Sequence, residues 1–375
     1  MRRITIAIAT VCLAFAAYAG AASAAGFAVN VTWDAVDVFP GNGVCADAAG
    51  ACTLRAAVQE ANALPGFDTI KVPGGTYPLT LLGPGEDLAA TGDLDLKSEV
   101  AIFGDGPRRT VVDGQQSDRI FDVNDSSVSL SGLGIRNGVA TNGGGIRARW
   151  SKLTVRWSAL YNNFAPNAGF WPFITLGSGG GLYAQDTRLG LFGVSFFSNR
   201  AAEMGGAIYL GSSASTAPTA SASIDNSTVS GNSARRGGGL FAHTVPTTLR
   251  NDTIANNSSV LGGGIYWLNI PPSSYNTSVA YNGGQDCSAF ITSGANNNDT
   301  DKTCGFFGAG DLPGVNPLLA PLTYLGVALP NWVHPQLLGS PLREAGDPAT
   351  CTATDEVGQA RPIGAVCDIG AYEQP

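Results

Sequence analysis

A block of two or three glycines followed by two larger residues occurs five times along the middle of this chain, and it restricts the fold more than any other feature. Gly143-Gly144-Gly145-Ile146-Arg147 recurs as Gly179-Gly180-Gly181-Leu182-Tyr183, Gly205-Gly206-Ala207-Ile208-Tyr209, Gly237-Gly238-Gly239-Leu240-Phe241 and Gly262-Gly263-Gly264-Ile265-Tyr266. A second block sets an apolar residue three before an asparagine: Leu160/Asn163, Phe196/Asn199, Val229/Asn232, Ile254/Asn257 and Val279/Asn282. The first glycine precedes that asparagine by 20 residues in four units and by 27 in the other. The next glycine block begins 16, 6, 5 and 5 residues further on, so the period is 25 or 26 residues with two insertions. These lie between Pro166 and Ser178 and within Ser212 to Ser223. An insertion that leaves the flanking register intact must leave the stack as a surface loop.

A unit this short cannot bury its apolar face alone, so neighbours must stack. Leu153/Val155 and Leu189/Leu191 alternate with polar residues at strand spacing, and no 3.6-residue period appears in these units. Charged residues are only 13% of the chain, too few for the solvent faces of long amphipathic helices. Glycine is frequent (50 residues) but not at every third position, which excludes collagen. Stacked coils bring equivalent positions within ~4.8 Å of one another. Asn232, Asn257 and Asn282 recur at 25 residues, as do Asn226, Asn251 and Asn276. Such side chains can bond amide to amide along the axis, or occupy left-handed turns. The expected fold is an all-β parallel β-helix. The runs Leu94/Leu96, Val100/Ile102 and Val111/Val112 read as less regular early coils.

Arg2 and Arg3 precede an apolar run from Ile4 to Ala19, then the small-x-small pattern Ala22-Ser23-Ala24. This reads as a signal peptide, residues 1–24, cleaved near Ala24. Six cysteines remain once Cys12 is removed with it, and export makes them disulfide candidates. Six cysteines allow 15 connectivities, of which nearest-neighbour pairing is expected: Cys45 with Cys52, Cys287 with Cys304, Cys351 with Cys367. Zinc fits neither their spacing nor the supply of two histidines. The expected layout is an N-terminal cap over 25–80, coils over 81–286 (most regular from about 137) and C-terminal coils with a cap over 287–375. Thr53 can cap a helix through Ala63, with Leu54, Ala57, Val58 and Ala61 as its apolar stripe.

Three segments carry family resemblances. Cys52-Thr53-Leu54-Arg55-Ala56-Ala57, with Val29-Asn30-Val31 before it and Pro65-Gly66-Phe67-Asp68-Thr69-Ile70 after it, resembles the CSLREA domain of secreted bacterial proteins. Phe196-Phe197-Ser198-Asn199 and Gly205-Gly206-Ala207-Ile208 resemble the repeats of polymorphic outer-membrane proteins. The segment from Arg361-Pro362-Ile363-Gly364 to Ala371-Tyr372-Glu373 resembles the choice-of-anchor domain. Together they imply a right-handed, pectin-lyase-like β-helix in a secreted or surface-associated protein, and no particular chemistry.

Chemistry is sparse. Polysaccharide lyases need a base, and glycoside hydrolases need paired carboxylates. Asp186, Glu203, Asp225 and Asp252 fall at different positions of the repeat, whereas Asp93/Asp95 and Asp113/Asp122 are better placed to gather. Asp34, Asp37, Asn42 and Asp47 surround a glycine-containing loop and are a candidate calcium site, with a disulfide-tied loop as the alternative. No other cofactor is expected. With 21 Lys+Arg against 29 Asp+Glu, nucleic acid is not an expected partner, and the chain is expected to act as a monomer. Tyr183, Tyr209, Phe241 and Tyr266 each follow an inward aliphatic residue, so they should form an outward aromatic ladder able to stack on sugars. Phe170, Trp171 and Phe173 in the first insertion would cover that ladder or act as a binding tip. The leading reading is an extracellular or cell-surface binding module contacting glycans. The alternatives are a polysaccharide lyase or glycoside hydrolase on the same fold, and a purely structural envelope protein.

Overall fold

The computed structural model describes residues 24–170, 172–213, 220–326 and 329–375; the expected signal peptide, apart from Ala24, and Trp171 lie outside the described residues. The chain winds as a right-handed parallel β-helix whose coils contribute to three long sheets of ten, seven and ten strands. One coil shows the pattern: Ile146–Arg149 belongs to the seven-stranded sheet, Lys152–Arg156 to the first ten-stranded sheet, and Ala159–Tyr161 to the other. These are called below the second, first and third sheets. Every pairing within them is parallel. Among the described residues no helix is long and apolar enough to cross a membrane.

The repeat positions align as the spacing requires. Ile146, Leu182, Ile208, Leu240 and Ile265 stand in one register on successive strands and are all buried. Each glycine block turns the chain into the second sheet. Its first member has positive φ, 71° at Gly143 and 59° at Gly262. Its second has no room for a side chain: a Cβ on Gly180 would lie 2.3 Å from the Arg200 carbonyl oxygen.

The asparagines divide into two columns with different duties. Asn163, Asn199, Asn232, Asn257 and Asn282 are an internal ladder in which each Nδ2 donates to the next Oδ1 at 2.9–3.0 Å, ending on Asp286 Oδ1. The same oxygens also accept backbone N–H groups, as Asn257 Oδ1 does from Asn232 N at 3.0 Å. Asn226, Asn251 and Asn276 instead take left-handed turns (φ 48°, 53° and 49°) and donate to carbonyls of the C-terminal segment.

The expected helix is present as Leu54–Ala63, and the Thr53 hydroxyl accepts from Ala56 N at 3.0 Å. All three expected disulfides form. The first insertion is an antiparallel hairpin, Ala168–Phe170 with Phe173–Thr175, projecting from the coil with every described strand residue exposed. The C-terminal segment runs back along the flank of the coils. Asn331 reaches Gly193, Glu356 reaches Ser195 and Thr228, and Thr352 reaches Asn226.

Asn232→Ala should lower stability by about 3 kcal/mol, because it strands the Asn199 amide and the Phe196 carbonyl in the core. Chemical denaturation measures this, and an unchanged midpoint would show the ladder to be incidental.

Candidate functional site

Strand register builds one continuous outward column on the second sheet: Asp95, Asp122, Arg147, Tyr183, Tyr209, Phe241 and Tyr266. The alternation that sends Ile146 and Ala148 inward sends Arg147 outward between them. Arg147 forms a bidentate ion pair with Asp122, its Nε donating to Oδ1 at 2.9 Å and its NH2 to Oδ2. Arg119 approaches the same carboxylate at 3.6 Å and pairs with Asp93 at 2.5 Å.

The aromatic ladder forms, but not as a flat binding strip. Successive rings are 4.6, 5.3 and 5.2 Å apart and within 2–7° of parallel. Coplanar rings at such distances would overlap, so the rings are stacked face on face along the axis. Their faces are taken by one another, and Phe241, sandwiched between two tyrosines, is only 2% exposed. What the column offers outward is ring edge and hydroxyl. The Tyr183 hydroxyl lies 3.4 Å from Gln185 Oε1. Gly211 keeps this edge open, since a Cβ there would sit 2.4 Å from that oxygen and 2.9 Å from the Tyr209 hydroxyl. Burial pushes the Tyr209 hydroxyl up to about 12, with Tyr183 and Asp186 adding to the shift. Both hydroxyls therefore remain protonated donors at neutral pH. Phe170 and Phe173 do not cover this ladder. Each is 75% exposed, and they meet each other edge to face.

At its other end the column runs into carboxylates. Asp87, Asp95 and Asp122 each bring an oxygen within 4.8 Å of the others. Asp95 lies under the loop that precedes its strand, accepting from Ala89 N at 2.8 Å. That loop is held by the helix: fully buried Arg55 pairs with Asp34 and donates to the carbonyls of Ala89, Gly92 and Asp93. The arginine of the Cys52–Ala57 motif thus positions the acidic end. Burial pushes Asp95 up to about 7, helped by Asp93, Asp122 and Glu86 against the Ala89 hydrogen bond. Burial likewise raises Asp93 to about 6, opposed by Arg119. Beside Asp87 a groove of about 430 Å³ opens between Pro40, Ala63, Leu88 and Lys97. A cation at the three carboxylates would share Asp122 with the Arg147 guanidinium, which already bonds both of its oxygens.

The calcium candidates in the cap do not gather. Asp34 is committed to Arg55 and the backbone of Thr80 and Leu81, and Asp37 to Phe39 N and Ala46 N. Asp47 accepts from Trp33 Nε1, Ala49 N and Ala51 N, and the Trp33 bond leads in holding its carboxyl below the usual range. Asp37 and Asp47 spend their oxygens on shaping the disulfide-tied loop and its approach, and Asp34 spends its own on joining the helix to the strand-following segment at Thr80. Asp113, expected beside Asp122, lies on the third sheet and pairs with Arg136.

Asp113 in fact heads a second column of the same composition, Asp113, Arg136, Tyr161 and Phe197. Here the two rings stack at 4.8 Å and are covered by Trp332 of the C-terminal segment, at 5.8 and 4.9 Å. Among the described residues, no aromatic ring of that segment packs on the second-sheet column.

The family described as the Chlamydia polymorphic membrane protein repeat matches residues 193–211. This span holds Phe196-Phe197-Ser198-Asn199, Gly205-Gly206-Ala207-Ile208 and the ladder residue Tyr209. No curated protein matches the chain.

Asp95→Asn isolates the strained carboxyl. A folded-state pKa raised above 3.8 favours the folded chain in acid, and that benefit is lost as pH rises from about 4 through about 7. The variant should equal the wild type near pH 4 and exceed it by on the order of 4 kcal/mol near pH 8, read from denaturation midpoints. A constant difference across that range would contradict the burial of an ionising group here.

Proposed function

We propose that this protein is an exported cell-surface binding rod that engages polyhydroxylated glycans along the outer face of its second sheet. The observation that carries the reading is the column from Arg147 to Tyr266, which aligns a guanidinium and phenol edges along the helix axis. Such groups match an extended sugar chain by hydrogen bonding at the ring edges rather than by stacking on ring faces. Export is supported by the leader pattern of residues 1–24, by the three disulfides and by the resemblance of the N-terminal cap to secreted bacterial proteins. The surface location is supported by the matched repeat.

One observation favours glycan cleavage as a second reading. Burial holds Asp95 up at about 7, the range of a general acid, and Asp122 beside it is the second carboxylate that glycoside hydrolases need. Against it, Asp95 is only 1% exposed, so a glycosidic oxygen has no approach to it.

A glycan array probed with the secreted chain tests the binding reading, and product analysis on polyuronates tests cleavage. Tyr183→Phe with Tyr209→Phe removes two hydroxyls and keeps the stack. Affinity for the retained glycan should fall about ten-fold or more, at ~1 kcal/mol per lost hydrogen bond, with the denaturation midpoint preserved. Equal affinity in this variant would remove the column from the binding role.

A further inference from the structure

The hairpin of the first insertion has no part in the fold's core or in the second-sheet column, yet it is built to be apolar. Residues 166–177 contain no charged side chain and read Phe170-Trp171-Pro172-Phe173-Ile174 at their centre. Phe170 and Phe173 are each 75% exposed, and Ile174 and Leu176 are 43% and 44% exposed. Water-facing aromatics at the end of a projecting hairpin gain nothing from the folded chain itself.

The same corner of the following coils continues the surface. The hairpin leaves the coil after Ala165 and returns at Ser178. The equivalent steps further on, after Ala201, Ala234 and Ser259, are Ala202-Glu203, Arg235 and Val260, as the bridges Arg200–Ser233–Ser258 and Ser178–Met204–Arg236–Leu261 establish. Along this line stand Arg200, lying over the Phe164 ring at 5.3 Å, then Arg235 and Arg236. The chain then exposes Val260 (70%) and Leu261 (45%), about 15 Å from the hairpin at three coil spacings. Glu203, 3.4 Å from Arg235, is the one acid among them. Three arginines against one glutamate make this corner net positive on a chain of net charge -8.

We propose that this corner is a lipid-docking ridge: the hairpin tip enters the interfacial region of a bilayer while Arg200, Arg235 and Arg236 meet anionic headgroups. Exposed aromatic and aliphatic side chains flanked by arginines have the chemistry of a membrane interface, where rings sit at headgroup depth and cations meet phosphate. A protruding, uncharged tip suits a deformable surface, and the charge complementarity selects an anionic one. The ridge is separate from the glycan-facing column, so either can fail alone.

Co-sedimentation of the secreted chain with vesicles tests this. The wild type should bind vesicles of equimolar phosphatidylcholine and phosphatidylglycerol, and bind phosphatidylcholine alone more weakly. Phe170→Ser with Phe173→Ser should abolish binding to both, with circular dichroism and denaturation midpoint unchanged because both side chains lie outside the core. Arg200→Gln with Arg235→Gln should cost about ten-fold or more on anionic vesicles only. The proposal is overturned if the wild type ignores both vesicle types or if the serine variant binds as the wild type does. It is equally overturned if the hairpin instead drives self-association in sedimentation velocity without vesicle binding, which would make a second copy its occupant.

Discussion

The internal asparagine ladder is the interaction on which the rest of the molecule depends. Parallel coils have no intrinsic register, because a slip by one residue preserves backbone pairing while turning every side chain to the other face. Apolar alternation penalises that slip, but the amides of Asn163 to Asn282 penalise any displacement along the strand. Asn163, Asn199, Asn232 and Asn257 are fully buried, and each would lose several hydrogen bonds at once. Fixing the register of the interior fixes that of the exterior. Asp122, Arg147 and Tyr183 become neighbours, though 61 residues separate the first from the last.

The fold then uses one side-chain column twice. On the third sheet, Asp113–Arg136–Tyr161–Phe197 forms an ion pair and a ring stack that serve as a platform for Trp332. Next to it His334 sits between Ser230 and the Ala320 carbonyl, and burial pushes its imidazole below its ordinary value. Glu356 rests on Ser195 and Thr228, and burial pushes it up to about 8. Uncharged groups of this kind let a segment lie on the coil flank without a desolvated charge. On the second sheet, the matching column extends over three more coils, and its edge is turned outward. Shared chemistry with different cover separates the platform under Trp332 from the column proposed to bind.

Much of this was legible in the sequence because it repeats. The 25-residue period, the inward aliphatics, the asparagine ladder and the order of the aromatic column follow from spacing, and the disulfides join nearest cysteines. Three features were not legible, each for a physical reason. Strand alternation places a ring outside but says nothing of its torsion, so Tyr183, Tyr209, Phe241 and Tyr266 were expected to offer faces that they in fact turn on one another. The acidic end was half visible: Asp95 and Asp122 could be suspected, but Asp87 arrives on an irregular loop whose path is set by buried Arg55. Asp113 was misplaced beside them because the early coils lack the glycine block that marks sheet boundaries. The flank position of the C-terminal segment depends on contacts such as Asn331 with Ser158, 173 residues apart, which no local pattern announces.

The two proposed surfaces constrain each other through the geometry of the coil. The ridge lies at the corner where each turn leaves the third sheet and enters the second, so it borders the Asp95–Tyr266 face directly. A rod resting on lipid along that corner would lie with its axis parallel to the bilayer, since the ridge follows successive coils. The second-sheet face would then stand at the side of the rod, near the headgroups, where surface glycans are concentrated. The third sheet, already occupied by the C-terminal segment, borders the same corner from the other side. Among the described residues the C-terminal segment packs its rings on one flank and not on the other, so a lipid-bound molecule would present the ladder part of its column in one direction only.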